Sequence, residues 1–149
     1  MSKPVQINKS LRAWMDVFMH RSMRSWGRFV KTTGLSMPQF SILMQLHYKG
    51  SCGMSEISER FDVTAAAASQ LVEKLVQSEL IERTEDPSDR RARQLSLSKK
   101  GAQLVERGIE ERHRWMEDIA ANITAEESSV VVEALQILIR AAGQLEEKK

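Results

Sequence analysis

The sequence predicts a mainly α-helical chain that carries one small β-hairpin. Three observations lead there. Apolar residues recur every three or four positions over most of the chain, as on helix faces that pack inward. Two runs instead alternate, Leu80-Ile81-Glu82-Arg83-Thr84 and Arg93-Gln94-Leu95-Ser96-Leu97, as half-buried strands do. Between them Asp86-Pro87-Ser88-Asp89 is turn chemistry. The expected order is helix, helix, short helix, helix, hairpin, helix, helix.

The first helix is expected from Ile7 to Thr33, with Ile7, Leu11, Trp14, Met15, Phe18, Met19, Met23, Trp26, Phe29 and Val30 forming a wide apolar face ended by Gly34. Ser36-Met37-Pro38-Gln39 starts the second: Ser36 caps, Gln39 closes a capping box, and Pro38 is tolerated in a first turn. Phe40, Leu43, Met44, Leu46 and His47 follow at helical spacing, and the helix stops near Gly50. Ser51-Cys52-Gly53-Met54 reads as a short extended connector. Ser55 is expected to cap a short helix with Ile57 and Phe61 inward, and Asp62-Val63 to turn the chain.

Thr64 caps the fourth helix, which runs to about Ser78 on a core stripe of Leu71, Val72, Leu75 and Val76. After the hairpin, Ser98 begins a long helix through Leu104, Val105, Ile109, Trp115, Met116, Ile119 and Ile123; Gly101 and Gly108 within it suggest close packing. Thr124-Ala125-Glu126-Glu127 is a capping box for the last helix. Its Val131, Leu135, Leu138, Ala142 and Leu145 form a seam like that of a helix pair.

A chain of 149 residues suffices for one domain, or one domain with an oligomerisation arm. No apolar run approaches the roughly 18 residues that span a membrane. The start, MSKPVQINKS, lacks the apolar core of a signal peptide, so a cytoplasmic protein is expected. Single Cys52 excludes an intrachain disulfide and a multi-cysteine zinc site. Charge is uneven: residues 1–48 hold seven Lys/Arg and one acid, and residues 101–149 hold six bases and ten acids. The two ends either attract each other, within or between chains, or are solvated faces.

The function-bearing features lie side by side. Thr64, Ala65, Ala66, Ser69, Gln70 and Lys74 face outward on the fourth helix. Small first-turn residues let a backbone approach a groove floor, where Ala meets a thymine methyl, Ser several base edges and Gln an adenine. The helix N-terminus favours phosphate. The competing reading is an Ala-rich helix selected for propensity alone. Arg90, Arg91, Arg93, Lys99 and Lys100 fall within eleven residues, with no acid from Arg90 onward. Arginine at a hairpin tip enters a narrow minor groove, and Asp89 can orient a neighbouring arginine; the competing reading is a solvated basic turn. Together these features favour a winged helix that reads double-stranded DNA.

The chain here resembles the MarR family of bacterial transcription regulators. The residues that carry the likeness are Leu35-Ser36-Met37-Pro38-Gln39-Phe40, Ser55 through Thr64 (SEISERFDVT), Asp86-Pro87-Ser88-Asp89-Arg90-Arg91, and Leu95-Ser96-Leu97-Ser98 with Gly101. It is close over about residues 35–101. The resemblance implies a winged helix-turn-helix DNA-binding domain at 35–101, a helical dimerisation region at 1–34 and 102–149, and a homodimer on a palindromic operator. It implies Arg91 in the minor groove braced by Asp89, with Arg90 on phosphate; Arg93, at the strand base, is expected to be a weaker backbone contact. Four successive alanines, Ala65 to Ala68, depart from the more polar recognition helices common in the family.

Family repressors often release DNA on binding a small aromatic ligand or on oxidation. Trp14, Phe18, Met23, Trp26, Phe40, Met44 and His47 are candidates for such a pocket, or are plain core. Cys52 is expected to be inert packing rather than a redox switch, since the family's sensing cysteines sit near the start of the first helix. Met15, Met19 and Met23 are expected to pack in a core, with a soft-metal or oxidation sensor as the other reading. His20, His47 and His113 lack metal-motif spacing, and no nucleophile elbow, P-loop or glycine fingerprint is present. No cofactor and no enzyme activity are expected. The alternatives are a redox-responsive regulator of the same fold, or a winged helix that binds protein instead of DNA.

Overall fold

A computed structural model describes residues 3–85 and 93–146. The elements are α1 (Lys3–Thr33), α2 (Met37–Lys49), β1 (Cys52–Gly53), α3 (Met54–Arg60), α4 (Ala65–Gln77), β2 (Ile81–Glu85), β3 (Arg93–Leu97), α5 (Lys99–His113), α6 (Trp115–Ala121) and α7 (Ala125–Glu146). They form two compact units, residues 1–113 and residues 114–149.

In the first unit α2, α3 and α4 surround a core in which Phe40, Ile42, Leu43, Ile57, Val72, Leu75 and Val105 are fully buried. The expected capping box starts α2: Ser36 Oγ accepts from the Gln39 amide at 3.3 Å, and Gln39 Oε1 accepts from the Ser36 amide at 2.9 Å. The sheet is antiparallel, ordered β1-β3-β2, with Cys52 opposite Leu95 and Ile81 opposite Leu97. Glu85 pairs with Arg93 at the last register position before the hairpin loop.

Two expected features of residues 98–123 separate in the structure. Gly101 and Gly108 do mark close approaches. A Cβ at Gly101 would overlap the Leu80 carbonyl oxygen, and one at Gly108 would stand 2.9 Å from Phe40 Cζ and 3.0 Å from Phe29 Cε1. Glycine at 108 thus lets α5 lie along α1 over an aromatic cluster. There Phe40 meets Trp26 edge-on at 4.8 Å, and the Arg112 guanidinium stands 5.9 Å from the Trp26 centroid. The single long helix expected after Ser98 is instead two, α5 and α6. Arg114 keeps helical dihedrals, but the Glu117 amide bonds to the Arg114 carbonyl at 3.0 Å. An i→i+3 bond has replaced the α-helical ladder at that point.

Three other expectations need correction. α3 begins two residues earlier than a Ser55 cap would place it. Gly53 supplies the extended cap conformation, and Glu56 Oε2 accepts its amide at 2.8 Å. Burial does not alternate along β2, an edge strand: Ile81 is buried and the next four residues are exposed. Met15, Met19 and Met23 are not core in this chain but 54%, 42% and 43% exposed. They lie on a face of α1 that nothing in its own unit covers.

The second unit holds α6 and α7. The Thr124 capping box is present, with the Thr124 hydroxyl and the Glu127 carboxylate each accepting the other residue's amide at 3.2 and 3.0 Å. The seam residues Val131, Leu135 and Leu145 on α7 are exposed, as are Val130, Val132, Ile137 and Ile139. Those positions span well over half the helix circumference, a wider apolar arc than a two-helix seam requires.

Candidate nucleic-acid interface

The helix-turn-helix is built by two matching chain reversals. At the end of α3, Asp62 takes φ 49°, and the Val63 amide bonds back to the Ser58 carbonyl at 3.1 Å. At the end of α4, Glu79 takes φ 59°, and the Leu80 amide bonds to the Leu75 carbonyl at 2.9 Å. With the Asp62 amide on Glu59 and the Glu79 amide on Val76, both are Schellman motifs that close helix ends with a left-handed residue. The first aims α4 away from α3. The second feeds α4 directly into β2, with Leu75 and Leu80 both buried beneath it.

Thr64 caps α4 as expected, its Oγ1 accepting the Ala67 amide at 3.1 Å. Thr64, Ala65, Ala66, Ser69, Gln70 and Lys74 are all exposed, on one side of a helix whose other side carries Ala68, Val72 and Leu75 in the core. The four alanines therefore divide. Ala65 and Ala66 meet solvent, Ala67 is half-buried, and Ala68 is small because it is fully enclosed. The free amides and dipole at the exposed α4 N-terminus present partial positive charge outward.

The hairpin is anchored at its base. The Ser98 amide donates to the Leu80 carbonyl at 3.1 Å, and the Ser98 hydroxyl donates to the Glu79 carbonyl at 2.6 Å while accepting the Gly101 amide at 2.9 Å. Lys100 Nζ donates to the Ser78 carbonyl at 2.9 Å. The turn after α4 is thus fixed to the start of α5. Asp89, Arg90 and Arg91 lie outside the described residues, as does the Arg93 side chain; the Arg93 backbone closes the hairpin ladder against Glu85.

The candidate pocket residues are dispersed. Trp26 and Phe40 are buried in the first core, and Met44 is half-buried against it. Trp14 and Met23 are exposed on α1 and Phe18 is half-buried; His47 is exposed with its ring against Tyr48. Met23 lines an open groove of about 600 Å³ with Met19, His20 and Arg24.

Cys52 is buried on β1, where Gln45 Nε2 approaches its Sγ at 4.0 Å. Burial, and secondarily the Glu56 carboxylate, push its thiol above the ordinary range, against a smaller opposing effect of Arg60. A thiol held protonated is a poor nucleophile. Among the described residues no group of three or more His, Cys, Asp or Glu could hold a metal, and no helix is long and apolar enough to cross a membrane.

Sequence reasoning overlooked the Arg83–Glu73 ion pair, in which Arg83 Nη2 donates to Glu73 Oε2 at 2.8 Å between β2 and α4. Its partners are ten residues apart, and neither helical nor strand periodicity pairs positions across that reversal.

Comparison with known proteins supports the same assignment. Residues 35–92 match the model of the MarR family. The chain is 26% identical to the HTH-type transcriptional regulator YsmB of Bacillus subtilis over 92% of this chain and 94% of that protein. It is 31% identical to YfiV, an HTH-type transcriptional regulator of the same organism, over 72% and 67% of the two chains. Among solved structures, transcriptional regulator Tm0710 from Thermotoga maritima superposes with a TM-score of 0.81 at 26% identity, covering 97% of this chain and 99% of that one. These relatives are regulators and not enzymes. With capped α4 running straight into an anchored hairpin, the chain belongs to the MarR family of DNA-binding winged helix-turn-helix transcriptional regulators.

Proposed function

We propose that the chain is a cytoplasmic, homodimeric repressor that holds a palindromic operator and releases it on binding a small aromatic ligand. The observation that carries the DNA-contact part is the exposed face of α4. Thr64, Ala65, Ala66, Ser69, Gln70 and Lys74 are all exposed on one side of α4, the helix that leads into the hairpin. In this reading that strip lies in the major groove. Arg91, braced by Asp89, enters the flanking minor groove; Arg90 meets phosphate, and Arg93 is a weaker backbone contact. Residues 35–101 act as the DNA-binding domain.

Residues 1–34 and 102–149 act as the dimerisation region. Support comes from the apolar surface that each unit leaves open: Ile7, Leu11, Trp14 and Met15 on α1, and Val130, Ile137, Ile139 and Leu145 on α7. A second copy covers such surface at the least cost in new sequence, and a two-fold axis places two recognition helices about one DNA turn apart. The basic first third and acidic last third favour contacts between unlike segments of two copies. Repression is supported by the likeness to the HTH-type transcriptional repressor MdtR of Bacillus subtilis, 34% identical over 94 residues. The ligand would bind among Trp14, Phe18, Met23, Trp26, Phe40, Met44 and His47 at the margin of the dimer arm. The raised thiol of Cys52 argues against oxidation as the signal.

Selection of bound duplexes from a random pool, repeated with aromatic ligands, tests this. The expected product is a palindrome with half-sites about 10 base pairs apart, lost when the effector is present. Single, unpaired sites would overturn the dimer, and a pool unaffected by any aromatic ligand would overturn the release mechanism.

A further inference from the structure

Glu73 stands three, four and seven residues beyond Gln70, Ser69 and Ala66, on the same side of α4 as the strip assigned to the major groove. A carboxylate there faces the phosphates of any bound duplex and by itself opposes binding. It is not alone: its Oε2 accepts from Arg83 Nη2 at 2.8 Å, with the Arg83 and Glu73 side chains 32% and 46% exposed. Arg83 lies two residues past buried Ile81 and therefore on the core-directed side of β2. From Glu82 to Glu85 the strand is exposed, so burial does not fix its outer half. The Leu80–Ser98 bond and the Lys100–Ser78 bond hold only the hairpin's base. Farther out, the ion pair ties the edge strand to the recognition helix.

We propose that Glu73 and Arg83 are a positioning pair, a strut that sets the angle between the wing and the recognition helix so that both reach their grooves together. The inference rests on the proposed wing contact with the minor groove. Glu73 retains its acid for the strut despite the electrostatic penalty toward DNA, and Arg83 is committed to Glu73 rather than to phosphate.

The test uses the full chain and the operator recovered by selection, with A/T-rich or G/C-rich flanks where the wings reach. The readout is the ratio of affinities for the two flanks, which cancels a uniform change in charge. Glu73→Gln and Arg83→Met are each expected to reduce that ratio by about twofold to fivefold, the range that a partly exposed ion pair supports. The swapped double variant E73R/R83E is expected to restore it. Electrostatics alone predicts something different: Glu73→Gln would tighten binding to both flanks equally. If both single variants keep the wild-type ratio, the strut is overturned while the wing reading stands. If Arg83→Met lowers the salt slope of binding by about one, Arg83 is a phosphate contact and the strut is wrong. A wild-type protein without flank preference overturns the wing reading and the strut with it.

Discussion

Gly101→Ala places one methyl group where the structure has no room for it. Its Cβ would overlap the Leu80 carbonyl oxygen and stand 3.2 Å from Leu97 Cδ2. The obstacle is backbone and cannot rotate aside. That carbonyl accepts the Ser98 amide at 3.1 Å, so moving it loosens the bond that joins the hairpin's base to α5. Overpacking costs about 1–3 kcal/mol, and a weakened buried hydrogen bond about 0.5–1.5 kcal/mol. Alanine in a helix returns about 0.5–1 kcal/mol. The net expectation is a loss of about 2 kcal/mol, or about 4–8 °C in Tm for a chain of this size. Thermal unfolding followed by circular dichroism measures it, and DNA affinity should fall as well because β2 and β3 leave from the displaced segment. A Tm equal to or above that of the wild type would refute the reasoning, since it would mean that helix propensity outweighs the close approach at Leu80.

Other expectations follow from the same geometry. Gly108→Ala should lower stability by about 1–2 kcal/mol in chemical denaturation, less than Gly101→Ala because its obstacles are ring edges of Phe40, Phe29 and Trp26 that can shift. Glu79→Gly should raise stability by about 0.5–1 kcal/mol, because glycine relieves the φ of 59° at the end of α4; an unchanged denaturation midpoint would count against strain there. Arg91→Ala should cost ~1–3 kcal/mol of operator binding in a fluorescence titration and weaken flanking A/T preference. For Cys52, burial raises the native thiol's pKa, so the native state holds its proton where the unfolded chain has lost it. Its contribution to stability is therefore intact below the ordinary thiol value of about 8.5 and falls as pH rises beyond it. Cys52→Ala should flatten that alkaline loss in pH-dependent denaturation, and peroxide should not release DNA from the wild type.

Much of the fold was determined locally and so was legible in the sequence. Capping at Ser36, Thr64 and Thr124 depends on residues three positions apart: the boxes at Ser36 and Thr124 and the single cap bond of Thr64 formed as that spacing dictates. The split of α4 into an outward strip and a buried stripe follows from a period of 3.6 residues. Glycines 101 and 108 announced close packing, but only the tertiary structure decided what they pack against: a carbonyl of the α4–β2 turn in one case and three aromatic rings in the other. Tertiary context also decided where local reasoning failed. The Gly53 cap depends on a glycine with no side chain of its own, and β2 leaves the core after Ile81, exposing residues whose alternation suggested burial. The Arg83–Glu73 pair needed the reversal at Glu79 before its two charges could meet. Apolar periodicity located the faces of α1 and α7 but did not say what covers them: a helix face records that burial is needed, and the surface that supplies it belongs to the assembled structure.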